Sequence, residues 1–139
     1  MALHLILATH GPLAKGFAES IQFILKPENP IHTICAFTEA PNPGEAFDAL
    51  CASIPETDTI IVMTDIIGGS VNKDIAQRLS QRRFYLIAGV NLACLLELAA
   101  ATEEEISDAF IRDTVQAAQA TVTYVNDAVL LSQEEESFF

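Results

Sequence analysis

The chain has 139 residues, 50% of them hydrophobic, and seven Lys and Arg against nineteen Asp and Glu give a net charge of −12. That length predicts one domain with a sizeable core, and the negative charge opposes a phosphate backbone, which argues against nucleic acid as a partner. No window approaches the roughly 18 unbroken apolar residues of a membrane span, and the N-terminal "MALHLILATHG" lacks the basic leader of a signal peptide, so a cytoplasmic location is expected. The cysteines Cys35, Cys51 and Cys94 are odd in number and show no CxxC spacing, which predicts reduced core residues.

Short apolar runs alternate with helical patterns along the chain. Residues 3–9, "LHLILAT", read as a buried strand, and 12–26 as a helix with Pro12 in its first turn and Leu13, Phe17, Ile21 and Ile24 on one face. A second strand is predicted over 31–37 and a second helix over 43–54. A third strand, rich in β-branched residues, covers 58–65, and the helix 70–81 turns Val71, Ile75 and Leu79 to one side. A fourth strand over 84–90 leads to the helix 91–101, which Asn91 can cap. Thr102 and Glu105 form a capping box for a long last helix over 103–120, with Ile106, Phe110, Val115, Ala118 and Val122 as its apolar stripe. The stretch "VTYVNDAVLL" either continues that helix or forms a short final strand, with a break at Asn126-Asp127.

Strands separated by helices predict an α/β fold: a doubly wound, mainly parallel four-stranded sheet with helices on both faces and right-handed crossovers. The domain is expected to span residues 1–131, followed by an acidic C-terminal tail over 132–139. The acidic runs Glu103 to Glu105 and Glu134 to Glu136 read as solvated charge, and no metal site or cofactor is expected.

In such a sheet the C-terminal strand ends share one edge. His10, Asp65, Ser70 and Asn91 can therefore converge although they are far apart in sequence. Gly68-Gly69-Ser70 lets the backbone approach a ligand closely and directs the free N–H groups of a helix start at it, which suits a phosphate. A histidine, a carboxylate and a phosphate cradle together suggest phosphoryl transfer through the imidazole. Asp65 accepting from Nδ1–H would fix the tautomer and leave Nε2 free as nucleophile. The N–H groups of Gly69 and Ser70, with the hydroxyls of Ser70 and Thr9, would hold the phosphoryl oxygens. Gly11, Gly68 and Asn91 would form the rim. His4 and His32 read as structural histidines, His32 at the opposite edge of the sheet from His10. Lys15 and Lys73 read as solvated.

"THGPLAKG", "TDIIGGSVN" and "AGVNLACLLE", in this order, resemble the IIA component of the mannose family of the bacterial phosphoenolpyruvate-dependent sugar phosphotransferase system, and the resemblance covers essentially the whole chain. It implies a phosphotransferase acting as a carrier. The histidine matching His10 takes a phosphoryl group from the phosphocarrier protein HPr and passes it to a IIB component, with Asp65 as the histidine-orienting aspartate. Through IIB it implies a membrane IIC/IID permease, with which the protein is peripherally associated. It also implies a homodimer in which a C-terminal strand crosses to the partner's sheet. "DAVLL" at 127–131 is the candidate strand, and the helix 91–101, apolar nearly all round, is expected to be buried beyond one protomer's core. The chain departs from the family pattern at Val71 and Ala93, where proline is common. Its end near residue 139 implies that IIB is a separate polypeptide.

Three rival readings meet these residues differently. A response-regulator receiver needs an acidic pair after the first strand, where this chain has Thr9-His10. A histidine phosphatase needs an arginine where Thr9 stands. A regulatory or ligand-binding α/β module, with His10 structural, is the remaining alternative.

Overall fold

The computed structural model describes residues 1–130. Strands β1 (Leu3–His10), β2 (Ile31–Ala36), β3 (Thr59–Thr64) and β4 (Tyr85–Ala88) form one sheet, in the order β2-β1-β3-β4, and every pairing is parallel. The helices are α1 (Leu13–Ile24), α2 (Pro43–Ser53), α3 (Ser70–Ala76), α4 (Leu92–Ala100) and α5 (Asp108–Gln119).

The two-residue period of β1 divides the core. Leu3, Leu5 and Leu7 pack with Ala14 and Ile21 of α1 and Leu95 and Leu98 of α4. Ile6 and Ala8 point the other way, to Phe47 of α2 and Val71 and Ile75 of α3. Helices α1, α4 and α5 thus cover one face, and α2 and α3 the other. Because α1 and α3 leave the neighbouring strands β1 and β3 toward opposite faces, a crevice opens at the C-terminal ends of those two strands. It is the topological switch point of the sheet.

Several expected boundaries move, each for a local reason. The buried side of α1 is Ala14 and Ile21, with Phe17 and Ala18 packed beside them, while Leu13 and Ile24 are exposed. The Ala14 N–H is pinned to Thr9 Oγ1 at 2.7 Å, and that bond sets the rotation of the helix. The helix expected over 70–81 is α-helical only to Ala76 and tightens into a 3₁₀ turn over Gln77–Ser80, leaving Leu79 exposed. There the Arg78 guanidinium occupies the Asp74 carbonyl at 2.8 Å. Arg78 also forks onto both Asp48 carboxylate oxygens, at 2.7 and 3.1 Å, and so ties α2 to α3.

The long last helix is divided. The Thr102–Glu105 capping box forms, but on a 3₁₀ turn over Glu103–Glu105. Ser107 then caps α5 separately by accepting the Phe110 N–H at 3.1 Å, a side-chain bond that competes with continuation of the turn. Thr114 and Ala118 form the buried side of α5, with Ile106, Phe110 and Val115 partly buried, and Val122 is exposed. Residues 125–130 are helical, so the strand expected over 127–131 is not formed across 127–130; residue 131 and the tail at 132–139 lie outside the described residues. In this single chain the segment satisfies its backbone locally, as a helix.

The apolar perimeter of α4 is taken up within one chain. Cys94, Leu95, Leu98 and Ala99 are buried, and Leu92 and Leu96 are partly buried in the same cluster as residues of α1 and α5. Its apolar character therefore needs no second protomer to explain it. Among the described residues, no helix is long and apolar enough to cross a membrane.

Candidate active site

His10 is the last residue of β1, and its side chain is 43% exposed. The strand's alternation turns it toward the α2–α3 face, one residue beyond the buried Thr9. Gly11 follows with φ +60°, a left-handed turn that glycine adopts without steric cost, and its N–H bonds the Ala36 carbonyl at 2.9 Å. The chain thus leaves the sheet at once and keeps the imidazole at the crevice mouth.

Asp65 follows β3 directly and holds His10 twice. Its Oδ2 accepts the His10 backbone N–H at 2.9 Å and lies 2.8 Å from Nδ1. Its Oδ1 accepts the Ile66 N–H at 3.1 Å. Burial works to raise the Asp65 pKa, but the bonds from the His10 backbone and ring, with the ring's charge, outweigh it and hold the carboxyl below its ordinary value. An ionised carboxylate only accepts, so Nδ1 carries a proton toward it, and in the neutral form of the ring Nε2 presents the lone pair. Nε2 lies 3.2 Å from the Ser70 hydroxyl.

Ser70 opens α3, where first-turn N–H groups have no intrahelical partner. A side chain at Gly69 would put its Cβ 3.4 Å from His10 Cε1 and 2.8 Å from Ile66 Cγ2, so glycine keeps room beside the imidazole edge. Thr64, fully buried at the end of β3, bonds Asn72 Oδ1 through its hydroxyl at 2.9 Å. That bond fastens the first turn of α3 to the strand end carrying Asp65, and so fixes Ser70 relative to His10. The pair Thr64–Asn72 was missed from sequence, although both residues stand inside "TDIIGGSVN".

The expected cradle is reduced in two places. The Thr9 hydroxyl faces inward and accepts the Ala14 N–H, serving as the cap that Pro12 cannot supply, a bond worth about 1 kcal/mol. The period of β1 points Thr9 toward α1 while His10 points to α3, so the expected contact of Thr9 with a phosphoryl oxygen is not part of the geometry seen here. The Gly69 N–H bonds the Ile66 carbonyl at 3.3 Å and closes the turn instead of facing His10. Gly68 is exposed at the turn with φ +74°. Asn91 caps α4 by accepting the Cys94 N–H at 2.8 Å and donates to the Ala118 carbonyl at 3.3 Å, so its side chain is committed to α4 and α5 rather than to His10.

Phe37 was not foreseen at the site. It follows β2, and its ring centroid lies 5.8 Å from that of His10, tilted by 44°. Its position as the last residue of the predicted second strand, on the same sheet edge as His10, was the available signal; the observed strand stops one residue earlier, at Ala36. Arg78 and Arg82 are engaged elsewhere, Arg82 on the carbonyls of Cys51 and Ile54 at the end of α2. The remaining histidines lie at the other edge of the sheet: His4 Nε2 is 2.9 Å from Asp58 Oδ2, and His4 Nδ1 is 3.0 Å from His32 Nε2.

The structure is thus a parallel α/β sheet with an aspartate-held histidine at its switch point and a serine hydroxyl beside the histidine's second nitrogen. The family model described as the PTS system fructose IIA component matches residues 4–115, and the chain belongs to this family, EIIA-man, of the sugar phosphotransferase system. A Klebsiella pneumoniae structure, described as a phosphoenolpyruvate-dependent sugar phosphotransferase system permease, is 34% identical over 93% of this chain and 95% of its own, with a TM-score of 0.83. The mannose/sorbose-specific IIA subunit from Enterococcus faecalis shares the fold at 24% identity over 88% of this chain and 94% of its own, TM-score 0.74. So does a PTS IIA protein associated with the fucose utilization operon of Streptococcus pneumoniae, at 20% identity over 93% and 97%, TM-score 0.79. No curated protein sequence matches the chain significantly. The protein is thus a component of a sugar phosphotransferase system.

Proposed function

We propose that the protein is the phosphoryl carrier of its system: His10 accepts a phosphoryl group on Nε2 from HPr and passes it to a IIB component. The observation that carries this reading is the 2.8 Å contact between Asp65 Oδ2 and His10 Nδ1, which leaves Nε2 as the reactive nitrogen at the crevice mouth. In the forward step the Nε2 lone pair forms a bond to phosphorus while the bond from phosphorus to the donor protein breaks. The ring, still protonated at Nδ1, gains imidazolium character, and the Asp65 carboxylate offsets that charge. The Ser70 hydroxyl, 3.2 Å from Nε2, donates to a phosphoryl oxygen. A loose phosphoryl transition state asks mainly for such positioning and charge compensation. Transfer to IIB is the same step reversed toward a new acceptor.

On this reading the protein works in the cytoplasm, reaches a membrane IIC/IID permease through IIB, and forms a homodimer. Val122, Tyr124, Val125, Val129 and Leu130 are exposed in one chain, which supports cover by a second.

The test is phosphorylation by phospho-HPr, read by intact mass and by mapping of the acid-labile phosphate. The expected result is one phosphate per chain on His10 and none in a folded His10→Ala variant. No incorporation by the folded wild type would favour the regulatory module, and persistent labelling of His10→Ala would remove His10 from the mechanism.

A further inference from the structure

Phe37 combines three features that do not normally occur together. Its φ is +70°, in the left-handed region that a bulky L-residue enters only at a steric cost. The residue is 56% exposed, so hydrophobic burial offsets little of that cost. Its ring stands 5.8 Å from the His10 ring, centroid to centroid. The turn itself does not call for an aromatic residue. The Phe37 N–H bonds the Ala40 carbonyl at 2.9 Å, and the Glu39 and Ala40 N–H groups bond the Cys35 carbonyl at 3.0 Å. All of these are backbone bonds, which glycine would make with less strain. Lys26, the other positive-φ residue apart from glycines among the described residues, shows the contrast. Its φ of +49° sits at the end of α1, where its N–H bonds the Ile21 carbonyl at 3.3 Å, an ordinary left-handed helix stop.

A strained backbone held beside a reactive group points to function. We infer that Phe37 is a positioning and shielding residue for phosphorylated His10: its ring forms an apolar wall beside the imidazole, restricts the ring's orientation and excludes water from the phosphoryl group until the acceptor arrives. The inference rests on the carrier reading above. A carrier has to hold a labile P–N bond between two protein encounters. The competing reaction is hydrolysis, in which a water oxygen bonds to phosphorus, the P–N bond breaks, and the products are inorganic phosphate and neutral His10. Asp65 and Ser70 meet the two nitrogens at the ring's edge, and the side chain as a whole is 43% exposed. Phe37 stands where it narrows the approach of water.

The test loads His10 chemically with potassium phosphoramidate, so that it does not depend on any partner, and follows the loss of phosphate from the isolated protein. For Phe37→Ala and Phe37→Gly the phosphohistidine half-life should shorten about 2- to 10-fold, the span expected for losing one aromatic contact. Phe37→Tyr should keep the wild-type half-life. Phe37→Gly should melt no lower than wild type, because glycine relieves the left-handed strain. Half-lives within twofold of wild type in both folded Ala and Gly variants would overturn the shielding role. So would a Phe37→Gly variant that melts clearly lower, which would make the ring structural. Failure of phospho-HPr to label a protein that phosphoramidate does label at His10 would count against the carrier reading, and would leave the lifetime comparison intact.

Discussion

Strand β1 carries a histidine–aspartate pair near each end, and the two pairs use the same chemistry for opposite purposes. At the N-terminal end, His4 and Asp58 are each 12% exposed, and both nitrogens of His4 are taken, one by Asp58 and the other by His32, whose ring stacks on it at 5.3 Å. Asp58 also accepts the Ala2 N–H at 3.1 Å, and this bond, followed by that from His4, holds its carboxyl below the ordinary range. At the C-terminal end, His10 is 43% exposed and only its Nδ1 is bound by a carboxylate. A histidine with both nitrogens held by protein side chains works as a clamp between strands. One with a nitrogen left to a hydroxyl at the solvent boundary is available as a nucleophile. The difference lies in what faces the second nitrogen.

The largest expected effect breaks the reactive pair. Asp65→Asn keeps the shape but removes the charge, and its amide can turn an NH₂ toward the ring and favour the wrong tautomer. Loss of the aspartate costs about 10⁴-fold in a serine protease, where the histidine is a base. On the proposed carrier reading the histidine is itself the nucleophile and stands near solvent, so phosphoryl transfer should slow roughly 10- to 10³-fold with His10 still the labelled residue. Rapid-quench measurement of transfer from phospho-HPr reads this directly. Unchanged rates in a folded variant would reduce Asp65 to a turn-forming residue.

The complementary change breaks the clamp. His4→Ala leaves Asp58 and His32 without their shared partner and should destabilise the fold by about 1–3 kcal/mol, seen as a lower urea midpoint. Phosphate acceptance at His10 should not change, because the two pairs stand at opposite edges of the sheet. A variant that is fully stable, or that transfers slowly while folded, would show that the division between clamp and nucleophile is wrong.

The smallest effect concerns pH. Burial, then the neighbouring His4, holds the His32 pKa below its ordinary value. The unfolded chain therefore binds a proton at His32 before the folded one does, and stability falls as pH drops below about 6.5. The depressed carboxyls of Asp58 and Asp65 act at lower pH: their contribution is present above the ordinary carboxylate range and is lost as pH falls through their folded values. Melting temperature measured from pH 7.5 to pH 5.5 should decline less in His32→Gln than in wild type. Equal slopes would mean that His32 titrates alike in both states.

The order of elements, the parallel sheet, the caps at Asn91 and Ser70's place at a helix start were legible in the chain. Each rests on a two- or three-to-four-residue period or on a cap a few residues from its target, and such bonds are local. The convergence of His10, Asp65 and Ser70 was legible for a related reason: strand ends are visible in sequence, and a parallel sheet brings them to one edge whatever lies between. The details of the site came only with tertiary structure. The bond of Thr9 to α1 was not legible because the rotation of a strand about its axis follows from the packing of the whole sheet, which turns Thr9 to α1 and His10 to α3. The bond of the Gly69 N–H to Ile66 was not legible because the exact closure of the Ile66–Gly69 turn decides which donors are spent. Phe37 and the Thr64–Asn72 bond escaped because their partners depend on side-chain direction. His4, Asp58 and His32 lie up to 54 residues apart, and no local pattern marks them as one cluster. The sequence by itself determined which chemical groups stand at the ends of which strands, since periodicity and capping are short-range. The tertiary structure alone decided which nitrogen of which histidine is left free, because that depends on groups that only the packed sheet brings together.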